Sequence, residues 1–481
     1  VRKARHLNGA LAFLTDAKRL IALGAVTLVA IVVRAPLLGS AFTSSDTDQY
    51  LAIAKGIFHG GYTDNVRAPG YATLLAIFEL VAIDPVHGVV FLQNLVGIAL
   101  PAFVVLVGWR YFSPLVGVVA GFLTAASPLA IAVEQFALSD YLFGVAFFVA
   151  AVLLAESVIR VRAGKDGWEV LAAAGVMFGV ATLVRANGLI GFVAIPLALL
   201  VGARAWRPAL RCAAIAVAAM AIVLAPWCIH NLIRFGDPNV SNEGGLALYA
   251  RAVSWAEMPP SPDTADGRLA LRVYNTADPN VPHAAAGTTS GVYNAFVGEG
   301  KTPREAYAAM GAIARETVLD DPGAYADDTV EALGLYREIL DPHTFTSDPN
   351  FDQVFKTRGY IRGLNPGTEE IPGDSRLTRI PWQIAQSLNK LLFVFTIGGL
   401  LMLILPFVGR ERSRLAASTL LIVGGVGIVG VALTARWEQR YIISLLPFIW
   451  LLGTATVAQL VSLLAAALRQ LPRPRAQGEA A

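Results

Sequence analysis

Apolar runs long enough to cross a bilayer recur along this chain, at roughly 20–38, 86–108, 114–133, 141–157, 169–184, 188–203, 212–229, 388–408, 415–434 and 441–465. A bilayer core takes about 20 apolar residues as a helix, against about 9–11 for a tilted strand. Inside it every backbone N–H and C=O has to be paired within the chain, so runs of this length dictate helices. Composition agrees: 55% of the residues are hydrophobic and 15% charged, with a mean hydropathy of +0.57. Soluble domains carry about 25% charged residues. A soluble enzyme, a disordered protein and a fibrous one are therefore excluded. The expected fold is an all-α polytopic membrane protein of about ten transmembrane helices, with 71–83 apolar but short.

Lys and Arg gather in short clusters: Arg2, Lys3, Arg5, Lys18 and Arg19; Arg160, Arg162 and Lys165; Arg204, Arg207 and Arg211; Arg410, Arg412 and Arg414; and Arg469, Arg473 and Arg475. With ten spans, all of them fall on one side, which the positive-inside rule makes cytoplasmic. Both termini are then cytoplasmic, and the first run is a retained anchor rather than a cleaved signal. Arg outnumbers Lys 31 to 7, which fits a high-GC bacterial coding bias, and the expected location is the bacterial cytoplasmic (inner) membrane. The opposite face holds a first outer loop, 39–84, and a long segment, 230–385, with 21 acidic and 13 basic residues, net −8. The organisation expected is a transmembrane module over 1–235, an extracytoplasmic segment over 236–385, C-terminal helices over 386–470 and a disordered tail over 471–481. Thr302-Pro303-Arg304-Glu305 is an N-cap, a proline at the first helical position and a capping-box glutamate. Helical periodicity follows over Tyr307–Leu319 and Tyr325–Leu340. Cys212 and Cys228 lie 16 residues apart on one apolar run, too far apart along a helix to pair.

Ionisable side chains at a bilayer need a reason, because at its centre they cost about 2.5–3.5 kcal/mol each. The topology collects Arg34, Asp46, Asp48, Arg67, Glu134, Asp140, Arg185, His230, Arg234, Arg436, Glu438 and Arg440 at the outer boundary. Mixed signs in one layer point to a binding or reaction site. Asp46 opens an amphipathic helix carrying Tyr50, Ile53, Ala54 and Ile57 on one face, which lies along the interface. Its carboxylate suits an N-cap and equally a general base for a hydroxyl nucleophile. Arg436 and Arg440 run against the positive-inside rule and call for an anionic partner.

The motifs run in order: Asp46-x-x-x-Tyr50, Gly60-Gly61-Tyr62, Arg67-x-Pro69-Gly70-Tyr71, Leu138-Ser139-Asp140, Val184-Arg185-x-Asn187-Gly188, Ala225-Pro226-Trp227, Asn231, Phe235-Gly236 and Arg440-Tyr441-x-x-x-Leu445-Leu446-Pro447. In this order and on one face, the chain resembles the GT-C superfamily of polyprenyl-phosphate-sugar glycosyltransferases. It is most similar to the branch of protein O-mannosyltransferases and lipid A aminoarabinose transferases. The resemblance implies a GT-C-like bundle with interfacial helices in the first outer loop and a mainly helical or irregular outer segment. It implies Asp46 as catalytic base, with a second acid among Asp48, Asp140 and Glu134. The family often has Asp-Glu where this chain has Asp46-Thr47-Asp48. Arg440, Arg436, Arg67 and Arg185 are the expected ligands of the donor phosphate, and Tyr50, Tyr71, Asn187, His230, Asn231 and Tyr441 the expected substrate contacts.

The implied reaction is one inverting displacement. An acceptor hydroxyl attacks the anomeric carbon, the polyprenyl phosphate leaves, and arginines offset its charge. The acceptor class stays open among glycan, lipid and protein. No nucleic acid and no obligatory cofactor are expected, and no metal-ligand cluster of standard spacing occurs. A divalent ion between Asp46 and Asp140 is compatible with this set but not indicated by it. A lipid or glycan transporter or polymerase is the alternative. It predicts ionisable residues near the midplane and inverted repeats, neither of which the sequence has.

Overall fold

The computed structural model describes residues 17–39, 41–43, 45–59, 66–165, 167–276, 285–338, 411–434 and 444–470. Outside them fall the run at 388–408, the tail 471–481, the Gly60-Gly61-Tyr62 motif, and Arg436, Arg440 and Tyr441. The described residues form helices throughout. The single extended pairing among them is a parallel bridge between Phe42 and Phe136.

The first half comprises α1 (Ala17–Arg34), α2 (Ser45–Ile57), α3 (Pro69–Leu80), α4 (Pro85–Tyr111), α5 (Pro114–Ala125), α6 (Pro128–Glu134), α7 (Ser139–Arg162), α8 (Trp168–Val184), α9 (Gly191–Gly202) and α10 (Trp206–Phe235). The segment after α10 contributes α11 (Glu243–Tyr249), α12 (Ala265–Thr276), α13 (Ala285–Gly298), α14 (Pro303–Asp320) and α15 (Pro322–Glu338); α16 (Glu411–Thr434) and α17 (Leu446–Gln470) follow. Five of these have the length and apolarity to cross a membrane: α4, α7, α10, α16 and α17. The chain is a multi-pass membrane protein.

Two of the expected runs are broken. The run at 114–133 splits into α5 and α6, because Pro128 has no N–H to continue the ladder and disfavours helical backbone just before it. The run at 188–203 begins as a 3-10 turn over Ala186–Ile190 before α9 takes over. The short stretch at 71–83 is α3, whose 12 residues span only about 18 Å. It does not cross. Its Tyr71, Ala72, Leu75 and Ala76 instead bury against Tyr50, Ile53 and Ala54 of α2.

Helices approach each other closely where side chains are small, since lipid offers no hydrophobic drive between apolar faces. A Cβ on Gly175 of α8 would lie 2.0 Å from the Ala216 carbonyl of α10, and one on Gly179 would lie 2.7 Å from Val223. Gly175→Ala is therefore expected to push α8 off α10 and destabilise the protein by about 1–3 kcal/mol. The thermal midpoint of the detergent-purified variant checks this, and an unchanged midpoint would refute it.

Helices α11–α14 and the turn after α11 carry their own core of Tyr249, Val253, Val292, Phe296, Met310 and Ile313, which Val66 joins. Tyr249 is fully buried there, and Tyr274 and Tyr293 pack on the same cluster, so these aromatics build the segment's own core. Thr302 and Glu305 form the expected capping box at α14. Arg251, buried, pairs with Asp328, and the Tyr325 hydroxyl donates to the Leu433 carbonyl at the end of α16. The segment is thus fastened to the helix bundle beneath it. At the far end of α7, Glu156 accepts from Arg110 (2.6 Å) and Arg160 (3.1 Å), with Arg412 at 3.6 Å.

Candidate active site

Asp46 lies in the first turn of α2, where the helix N-terminus favours an acidic side chain. The helix starts at Ser45, two residues earlier than a capping role for Asp46 requires. Its carboxylate is used elsewhere: Oδ1 accepts from Arg67 Nη2 at 2.8 Å. Arg67 stands just before α3, whose start is set by Pro69 at its first position. The guanidinium is 7% exposed and engages three partners. Nη2 donates to Asp46, Nε donates to Gln49 Oε1 at 3.0 Å, and Nη1 donates to Glu243. Its carbon also sits 5.4 Å from the centre of the Tyr50 ring. Burial works against its charge, but Glu243, Tyr50 and Asp46 outweigh it, so Arg67 holds its proton even more firmly than usual. Burial pushes the Tyr50 phenol up, against the opposing effect of Arg67.

A second ion pair stands beside the first. Asp140 is in the first turn of α7 and Arg185 is the extended residue that ends α8. Arg185 Nη1 lies 2.8 Å from Asp140 Oδ2, with both side chains nearly buried at 7% and 3% exposed. The same Nη1 is 3.3 Å from Ser139 Oγ, which is 2.8 Å from the Tyr50 hydroxyl. Asp46, Arg67, Tyr50, Ser139, Arg185 and Asp140 therefore form one connected polar chain. It borders a cavity of about 360 Å³. Its lining combines the polar side chains of Asp140, Arg185, Asn187, Ser241, Glu243 and Ser444 with the apolar ones of Phe143, Leu189, Ile190, Ile428, Val431 and Leu445.

Behind the site, a buried network holds the connection before α7. Arg34 Nε and Nη2 donate to Glu134 at 2.6 and 2.7 Å, and both residues are at most 1% exposed. Gln93 Nε2 donates to the carbonyls of Glu134 and Phe136, each at 2.8 Å, while its Oε1 accepts from the Tyr71 hydroxyl at 3.1 Å. Gln135 and Asn94 exchange amide hydrogen bonds. Phe42 N donates to Gln135 O and Ala137 N to Phe42 O, so the strand after α1 is zipped to the residues leading into Ser139.

Of the expected site residues, Asp46, Arg67, Tyr50, Asp140, Arg185 and Asn187 converge here. Tyr71 supports them from below, its ring 4.9 Å from that of Tyr50. Glu134 stands apart, on Arg34. Asp48 is exposed. His230 is exposed with its ring stacked on Trp227 at 5.2 Å, because α10 continues past it to Phe235. Asn231 is buried and donates to the Asn239 carbonyl at 2.7 Å, a structural contact of the outer segment. Sequence reasoning missed Glu243 and Gln49. Gln49 sits one helical turn after Asp46 and is recoverable from periodicity, whereas nothing local marks Glu243.

Fold and site together define a helical multi-pass membrane protein with paired carboxylates and arginines beside a cavity of mixed polar and apolar lining. Residues 66–230 match the dolichyl-phosphate-mannose-protein mannosyltransferase family. No curated protein sequence matches the chain. In fold it is similar to the apo oligosaccharyltransferase of Archaeoglobus fulgidus, with a TM-score of 0.50 at 14% identity, covering 98% of this chain and 54% of that one. The same organism's oligosaccharyltransferase AglB, solved with an inhibitory peptide and a dolichol-phosphate, gives 0.49 at 15% identity over 97% and 53%. ArnT of Cupriavidus metallidurans bound to undecaprenyl phosphate gives 0.39 at 15% identity over 96% and 82%. The chain spans about half the length of the archaeal enzymes. The resemblance to the GT-C glycosyltransferases therefore holds, in sequence over 66–230 and in the helical fold.

Proposed function

We propose that the chain is an inverting membrane glycosyltransferase that moves a sugar from a polyprenyl-phosphate donor to an acceptor hydroxyl. The single observation that carries this is the connected chain from Asp46 through Arg67, Tyr50, Ser139 and Arg185 to Asp140, bordering a cavity lined by charged and polar side chains together with apolar ones. An amphiphile with an anionic head and an isoprenoid tail suits that mixed lining. Arg185, on the cavity wall, takes the donor phosphate with Asn187 beside it. Arg67 is committed to two carboxylates, so its part is to orient Asp46 and keep it ionised. The acceptor oxygen attacks the anomeric carbon, its proton passes to Asp46, and the bond from that carbon to the phosphate oxygen breaks. Arg185 offsets the charge left on the phosphate. Arg436 and Arg440 are proposed as further phosphate ligands.

The membrane proposed is the bacterial inner membrane, with both termini cytoplasmic and the site outside. In support, α7 carries Asp140 in its first turn and Arg160 and Arg162 in its last, about 30–33 Å away along the helix. The basic end suits the cytoplasmic side.

The test is transfer of labelled sugar in proteoliposomes offered a panel of polyprenyl-phosphate sugars. Transfer from one donor is expected. Movement of lipid or glycan across the bilayer with no transfer from any donor would sink the proposal in favour of transport. Arg185→Gln is expected to remove a charge-assisted contact of about 1.5–3 kcal/mol. That corresponds to about a 10–150-fold rise in the donor KM. A donor KM unchanged in the variant would remove the phosphate from Arg185.

A further inference from the structure

Glu243 is held over the site by more than its own side chain. Its backbone N–H donates to the Val66 carbonyl at 2.9 Å, and Ser241 Oγ donates to the same carbonyl at 2.5 Å. On the other side, Trp227 Nε1 donates to the Val240 carbonyl at 2.9 Å and Asn231 to the Asn239 carbonyl at 2.7 Å. Residues 239–243 are thus pinned between the residue before Arg67 and the outer end of α10. The carboxylate that results is 28% exposed, lines the cavity and pairs with Arg67 opposite Asp46. One guanidinium serves two carboxylates.

We infer that Glu243 is a positioning residue for the reaction: by sharing Arg67 with Asp46 it sets how strongly the Asp46 carboxylate holds a proton. The inference rests on the reading of Asp46 as base. A carboxylate that alone faces an arginine is strongly favoured in its charged form, which makes it a poor proton acceptor. A second carboxylate on the same arginine divides that attraction. The triad carries net charge −1, and a base in it is stronger than one in a simple ion pair. Among the described residues, Tyr50 and the exposed Asp48 are the nearest other titratable groups on its own helix. Across Ser139 stands the Arg185–Asp140 pair, whose charges balance.

The experiment is the pH profile of kcat/KM for sugar transfer in proteoliposomes. It compares wild type with Glu243→Gln, Glu243→Ala, Glu243→Asp and Ser241→Ala. Glu243→Gln keeps an acceptor for Arg67 Nη1 and removes the charge. It is expected to move the acid limb down by about one pH unit. The plateau rate should fall about three- to tenfold, because a weaker base transfers the proton less readily. Glu243→Ala is expected to move the limb the same way, and it decides the matter should the glutamine variant fail to accumulate. Glu243→Asp keeps the charge and is expected to restore the limb. Ser241→Ala loosens the same segment without touching a charge, and its limb is expected at the wild-type pH. An acid limb unmoved in the charge-removing variants, with loss equal at every pH or no loss, overturns the inference and leaves Glu243 a structural tie. Failure of the underlying reading looks different: Asp46→Asn would keep its activity and acid limb whatever Glu243 does.

Discussion

Asp46→Asn is expected to lower kcat/KM for sugar transfer by about 10²–10⁴-fold, the usual worth of a positioned general base. The substitution is nearly isosteric. The amide oxygen of Asn still accepts from Arg67 Nη2, so the guanidinium keeps its place over Tyr50 and between Gln49 and Glu243. What disappears is the ability to take a proton from the attacking hydroxyl. Donor binding is assigned to Arg185 and the cavity, and is expected to change by less than about twofold, since no charge-assisted contact to the donor is lost. Three measurements on the purified variant separate the effects: single-turnover transfer, binding of a labelled polyprenyl phosphate, and the thermal midpoint. Loss of transfer with binding and midpoint retained is the expected pattern. Transfer near the wild-type rate would move the base to Asp140 or Asp48. Asp140 is buried against Arg185, whereas Asp48 is exposed two residues further along α2. Each is therefore the weaker candidate, the first because its carboxylate is tied to the arginine proposed for the phosphate and the second for placement.

How much of this was visible in the chain alone depends on the range of the interaction. Span positions are set by local apolarity, and α4, α7, α8, α10, α16 and α17 fall where the runs lie. Breaks within runs were not visible, because a proline in a membrane helix is tolerated in one place and ends the helix in another. Pro101 and Pro226 sit inside helices, while Pro128 starts a new one. Counting spans was enough to put Asp46, Arg67, Asp140 and Arg185 on one face. Their pairing into Asp46–Arg67 and Asp140–Arg185 was not, since it depends on how α2 and α3 lie against the ends of α7 and α8. His230 shares the face by the same count, yet the helix phase turns it outward onto Trp227. Glu243 lies 176 positions beyond Arg67, and only the folded outer segment brings it back.

The buried pair behind the site leads to the largest expected effect on stability. Arg34→Met leaves Glu134, fully buried, without the two donors that approach it at 2.6 and 2.7 Å. Breaking such a pair from one side costs about 3–5 kcal/mol, mostly because a charge is left stranded. It also removes the hydrogen bond from Arg34 Nη1 to the Ala125 carbonyl (3.0 Å), at the break between α5 and α6. Glu134→Leu is expected to cost about as much, by stranding Arg34. The double variant Arg34→Met/Glu134→Leu removes both charges together and is expected to recover most of that loss, because two well-packed apolar side chains avoid the desolvation penalty. The pair lies in a tight space, where even a Cβ on Gly97 would come within 2.4 Å of Glu134 Oε2. Thermal midpoints of the two single variants and the double, taken as a double-mutant cycle, give the coupling directly. Wild-type midpoints in both singles would show that water reaches the pair and that it does not hold the fold. If the double variant regains its midpoint, its transfer rate decides a further point. The Phe42–Phe136 bridge and the Gln93 hydrogen bonds to the Glu134 and Phe136 carbonyls do not need either charge. They are expected to keep Ser139 and Asp140 in place, so activity should return together with stability.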